Sequence, residues 1–120
     1  MGRWLVDGMN VIGSRPDGWW RNRHAAMERL VRALEAVSGD VAVVFDGKPF
    51  ELASDHVEVA FASRRGRDAA DDDIAARVAA DPDPATLTVV TSDSELERRV
   101  RIHGANVEGA SVFRRRLEES

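Results

Sequence analysis

An aspartate and a nearby asparagine, Asp7 and Asn10 in WLVDGMNVIG (4–13), follow directly on a short apolar run. Asp46 in VAVVFDG (41–47) and Asp93 in TLTVVTSD (86–93) end apolar runs of their own, and AADDDIAARVAA (69–80) adds Asp71, Asp72 and Asp73. Carboxylates brought close together raise one another's pKa and are costly unless protons or a cation compensate them. Mg²⁺ and Mn²⁺ prefer carboxylate and water oxygens, and either can activate a water while neutralising a phosphate. Asn10 is neutral, so its amide would orient a carboxylate, a water or a substrate.

The elements carrying these residues follow from hydropathy. Segments 3–8, 41–47 and 86–93 are nearly continuous apolar runs, as expected of strands covered on both faces, and HVEVAFA (56–62) alternates as a strand near an edge does. Met27, Leu30, Val31, Leu34 and Val37 share one helical face, with Gly39 near its end. A second helix spans about 69–80 and stops at DPDP; a third starts near Asp93 with Leu96 and Val100 inward. HGANV (103–107) offers a turn and a short strand, and SVFRRRLEES a last helix. Strands alternating with helices predict one α/β domain over 1–120 with a mostly parallel sheet. Ligands bind such sheets outside the carboxyl ends of the strands, where Asp7, Asp46 and Asp93 would stand together. With Ile74 and Val78 inward, Asp71 falls on nearly the same side of its helix, while Asp72 and Asp73 turn further away.

Each acid also has a plainer reading. Asp-Gly is a common turn dipeptide, which would account for Asp7 and Asp46 singly. In SDSE (92–95), Ser92 would cap a helix and Glu95 complete a capping box; acids in a first turn also suit the helix dipole. Convergence of four such explanations on one end of one sheet favours a shared acidic site.

The chain has 120 residues, 43% hydrophobic and 32% charged, which suits one hydrophobic core rather than a disordered tail. No apolar run reaches the ~20 residues of a membrane span, and the start lacks the pattern of a signal peptide, so a cytoplasmic protein without a membrane partner is expected. The absence of cysteine excludes disulfide and thiolate chemistry. Setting aside Asp7, Asp46, Asp71, Asp72, Asp73 and Asp93 moves the formal charge from −4 to +2, so overall acidity does not argue against a polyanionic partner. Arg64, Arg65 and Arg67 in SRRGR (63–67) are placed to hold a phosphate backbone, with Gly66 letting the loop move; a solvated loop is the alternative. In DGWWRNRH (17–24), Trp19 and Trp20 with Arg21 and Arg23 could stack unpaired bases and grip a backbone, or could fix a helix or form a self-association surface. RRVR (98–101) and RRR (114–116) read as exposed helix faces, and His24, His56 and His103 as surface or packing residues.

Taken in order, VDGMNVIG (6–13), VVFDG (43–47), AADDDI (69–74), VVTSDSEL (89–96) and GANV (104–107) resemble the YacP-like branch of the NYN domains, within the PIN-like nucleases. The resemblance covers nearly the whole chain. It implies a three-layer α/β/α sandwich with a central parallel sheet, and metal-dependent, typically endonucleolytic, cleavage of RNA. Matched by position, it implies Asp7 with Asn10, Asp71 and Asp72, and Asp93 preceded by Ser92 as site residues, and Asp46 as the acid ending the second strand. Asp7, Asp71 and Asp93 would hold one or two Mg²⁺ or Mn²⁺ ions, with Asp46 or Asp72 contributing directly or through water. Single-stranded RNA is the expected partner, and no histidine or lysine base is required. The chain is shorter than many relatives between the second strand and the acidic helix, so the ribosome association of some is not carried over; a homodimer stays open. The alternative is a non-catalytic RNA- or nucleotide-binding domain. A receiver-type signalling domain ranks below both, lacking an acidic pair after the first strand and a late lysine.

Overall fold

The computed structural model describes residues 2–64, 66 and 68–119. In chain order these form β1 (Arg3–Asp7), α1 (Gly8–Gly13), a 3-10 turn (Trp19–Asn22), α2 (Arg23–Leu34), β2 (Asp40–Phe45), β3 (Glu58–Phe61), α3 (Ala69–Ala80), β4 (Leu87–Val90), α4 (Ser94–Arg101), β5 (Asn106–Glu108) and α5 (Ala110–Glu119). The strands make one sheet in the order β3-β2-β1-β4-β5, with every pairing parallel. β1 is central, in register with β2 from Arg3 opposite Asp40 and with β4 from Arg3 opposite Leu87.

The apolar runs are continuous because alternate residues serve two cores. Val6, Val43, Phe45 and Val90 pack with Met27, Leu34 and Phe113 beneath α1, α2 and α5. Leu5, Val44 and Val89 pack with Ile74, Val78, Leu96 and Val100 beneath α3 and α4. The result is the three-layer α/β/α arrangement expected, with β3 at an edge. At the amino end of the sheet, the Arg3 guanidinium donates to both Asp81 oxygens at 2.8 Å each, tying β1 to the end of α3.

Two elements depart from expectation. Asp7-Gly8 is no turn: β1 passes directly into α1, a helix of six residues. Gly8 makes that junction possible, because a Cβ there would stand 2.4 Å from Phe45 Cε1. α2 ends at Leu34 and not near Val37, since Ala36 and Val37 donate to Ala33 and Leu34 in a tightened 3-10 turn that still lays Val37 against the core. Glu35 then accepts from the N–H groups of Asp55, His56 and Val57 and secures the approach to β3.

Candidate active site at the carboxyl edge of the sheet

The chain leaves β1 toward β2 on one side and returns to β4 on the other. That reversal makes a switch point at the carboxyl ends of β1 and β4, the position where open α/β sheets bind ligands. Asp7 stands at it, buried to 5% exposure. The Thr91 hydroxyl donates to Asp7 Oδ2 at 3.0 Å. Burial pushes Asp7 up to about 7; the charge of Asp71 adds to this, and the Thr91 hydrogen bond opposes it.

Asp71, in the first turn of α3, is half-buried and pushed up to about 6 by burial, then by the charges of Asp93, Asp68 and Asp46; Arg99 works against these. Asp71 accepts no hydrogen bond among the described residues. Its neighbours are tethered. Asp46 Oδ1 accepts from the Ala70 N–H at 3.0 Å and so serves the start of α3 from across the sheet. Asp93 caps α4, its Oδ1 accepting from the Leu96 N–H at 2.9 Å, while its own N–H donates to Thr91 Oγ1 at 3.1 Å. The cap is therefore Asp93 and not Ser92, and Glu95 closes no capping box because it pairs with Arg98.

Asn10 sits on α1 and accepts the Ser92 N–H through Oδ1 at 2.8 Å, joining the loop after β1 to the loop after β4. Ser92 Oγ accepts from the Ala110 N–H at 2.8 Å, at the start of α5. Asp72 faces cations: Arg64 pairs with its Oδ2 and Arg99 with its Oδ1 at 2.9 Å, and these guanidinium groups hold it below the usual carboxylate range. Both Asp72 oxygens are thus engaged by arginines. Asp73 accepts from the Ser63 N–H and hydroxyl, fastening the arginine loop to α3. Arg65 and Arg67 lie outside the described residues.

Trp19 is half-buried with its ring edge-on to Trp20 at 6.1 Å, and it lines a cleft of about 480 Å³ that reaches Asp46. Arg21 folds against Gly18, whereas Arg23 lines that cleft. Of the histidines, His24 stacks on Phe50 at 3.8 Å and His56 pairs with Glu35. Among the described residues no three histidine, cysteine or acidic side chains form a ready cage for a metal. An ion that keeps several of its waters, as Mg²⁺ does, would need no such cage.

The YacP-like NYN domain family matches residues 4–120 of the sequence. The chain belongs to this family. Two crystal structures of Rae1 (YacP) from Bacillus subtilis are similar to the NYN domain described here. A tryptophan-to-leucine mutant is 27% identical with a TM-score of 0.79, covering 99% of this chain and 76% of its own. A second Rae1 (YacP) structure is 26% identical with a TM-score of 0.79, covering 99% and 75%. No curated protein matches the chain significantly. Membership places this NYN domain among nuclease-like domains of RNA metabolism. No helix among its described residues is long and apolar enough to cross a membrane.

Sequence reasoning about this NYN domain gave Thr91 no role and read Arg99 only as part of an exposed helix face. Thr91 carried a signal, since a hydroxyl ending an apolar strand immediately before Ser92 and Asp93 stands at the same sheet edge as Asp7. Arg99 lies six residues beyond Asp93 on α4, a spacing that says nothing of its reach to Asp72.

Proposed function

We propose that the chain is a divalent-metal-dependent ribonuclease that hydrolyses phosphodiester bonds within single-stranded RNA. The observation that supports this reading most is the convergence on Asp7. It is a buried carboxylate at the switch point of the sheet, held by Thr91, with Asp71 the strongest charge acting on it. When bound, Mg²⁺ or Mn²⁺ would supply an acidified water and neutralise charge on the phosphate, held by Asp7, Asp71 and Asp93 with Asp46 beside them.

The chain's own residues then have separate tasks. Thr91 fixes the Asp7 carboxylate, and through its side chain Asn10 keeps the Ser92 segment against α1. Asp72 gathers Arg64 and Arg99 beside the acids, where positive charge would position a phosphate. Ser92 retains a hydroxyl proton to donate while its oxygen serves α5.

A non-catalytic RNA- or nucleotide-binding domain is the second reading, favoured by Asp46 and Asp93 each already serving the start of a helix. The test is cleavage of an end-labelled single-stranded RNA with Mn²⁺, Mg²⁺ or chelator, beside Asp71→Asn. Metal-dependent cutting that the variant loses supports the nuclease. RNA binding without cutting in any metal moves the conclusion to the binding domain.

A further inference from the structure

One cleft at the acidic edge shares only Asp46 with the hydrolysis just described. It runs from Asp46 and is otherwise lined by Met9, Trp19, Arg23, Gly47, Lys48 and Gly66. Its about 480 Å³ lies within the range of small-ligand sites. Its cations come from different elements: Arg23 from the first residue of α2, Lys48 from the loop after β2. Arg23 is anchored by donating from Nη2 to the Asp46 carbonyl at 2.8 Å. Neither Arg23 nor Lys48 has a carboxylate partner among the described residues, whereas Arg64, Arg98, Arg99, Arg101, Arg114 and Arg116 are all ion-paired. Positive charge is thus left unneutralised next to Asp46.

The rest of the lining supplies flat and soft apolar surface. Trp19 is placed at the start of the 3-10 turn by its N–H, which donates to Asp17 Oδ1 at 3.1 Å. Met9 comes from α1, two residues after Asp7. Gly47 keeps the floor open: its φ is +104°, and a Cβ there would lie 3.1 Å from Arg23 Nη2. An indole and a thioether beside two unpaired cations match one nucleotide of a single strand, with the base on the apolar surface and the phosphate on the cations.

We infer that this cleft is a nucleotide subsite, holding the base of an unpaired RNA residue against Trp19 and Met9 and its phosphate on Arg23 and Lys48. The inference rests on RNA being handled at the acidic edge, and it names where the strand is held there. Of the two arginines that the sequence suggested for gripping a backbone, Arg21 and Arg23, it is Arg23 that lines this cleft.

The test measures binding of the full chain to a short fluorescent single-stranded RNA in chelator, with an abasic residue moved along the strand. For the unmodified protein, one abasic position weakens binding about tenfold, the size of a lost base–aromatic stack. Trp19→Leu binds abasic and intact strands alike, and Trp19→Phe restores the difference. Arg23→Gln with Lys48→Gln, both at exposed positions, weakens every strand and lowers the slope of log K against log salt by about 0.7 for each lost contact. The inference is overturned if no abasic position matters, if the abasic penalty survives Trp19→Leu in a cooperatively melting protein, or if the double variant leaves the salt slope unchanged. Cleavage scored in parallel separates the two readings. Cutting without coupling to Trp19 removes the subsite and leaves the nuclease; coupling without cutting in Mg²⁺ or Mn²⁺ removes the nuclease and leaves the subsite.

Discussion

The Thr91 hydroxyl reaches Asp7 Oδ2 at 3.0 Å across the boundary between the central strand and its later neighbour, and its oxygen accepts the Asp93 N–H at 3.1 Å. One hydroxyl therefore sets the positions of two acids. Thr91→Val keeps the shape of the side chain and removes both bonds, leaving a buried carboxylate short of a donor at a cost of about 1–3 kcal/mol. Cleavage should fall about 10–100-fold, as for other groups that orient ligating side chains, and the acid limb of its pH profile should move to higher pH. Thr91→Ser should restore both, which a merely space-filling role would not require.

Asp7 makes metal-free stability depend on pH. In the folded chain it titrates near 7, above an ordinary 3.8. The folded state thus binds this proton more tightly than the unfolded state, so the contribution to stability is full below about 3.8 and lost as pH rises through about 7. Asp7→Asn should be more stable than the unchanged protein at pH 8 in chelator, by on the order of a few kcal/mol, with the advantage vanishing at pH 4. Denaturant melts at the two pH values measure it; an equal advantage at both would refute the assignment to ionisation.

Asp46 serves the backbone of α3 as well as the acidic edge. Asp46→Ala should lose about 1 kcal/mol with the cap, while Asp46→Asn, which can still accept from Ala70, should melt nearly unchanged. Cleavage lost in the asparagine variant assigns Asp46 a role for its charge; cleavage retained confines it to capping.

Gly8→Ala pits helix propensity against packing. Alanine gains up to about 1 kcal/mol in a helix, but its Cβ would meet a fully buried Phe45 ring. Overpacking should prevail, with a net loss of about 1–3 kcal/mol and weakened activity, because Asp7 and Asn10 flank the displaced turn. A raised melting temperature would contradict this.

At the other end of the sheet, Arg3 and then the Asp83 N–H hold Asp81 down to about 2, from an ordinary 3.8. Here the folded state favours the anion, so the contribution is full above about 3.8 and lost as pH falls through about 2. Acid unfolding between these values should be shallower in Asp81→Asn.

The sheet was legible because Leu5 and Val6, or Val89 and Val90, serve opposite cores and leave nearly unbroken apolar runs. α1 was not, because GMNVIG is short, begins and ends in glycine, and follows a dipeptide that usually turns. The edge positions of Asp7, Asp46 and Asp93 followed from strand ends. Their hydrogen bonds did not, since the bond from Ala70 to Asp46 spans 24 residues and depends on where α3 crosses the sheet. Which of Arg21 and Arg23 would line the cleft was not legible for a similar reason, as a 3-10 turn rotates successive side chains differently from the α-helix that follows.

The bond between Thr91 and Asp7 joins residues 84 positions apart, and β1 is flanked by β4 only once most of the chain exists. A nascent chain that has emerged through α3 carries Asp7, Asp46 and Asp71 without the hydroxyl that orders the first of them. Parallel strands of such separation pair late, because the entropy of closing the intervening loop must be overcome before their contacts stabilise anything. The acidic edge can therefore be completed only once most of the chain is available, and partly synthesised chains carry its acids unarranged.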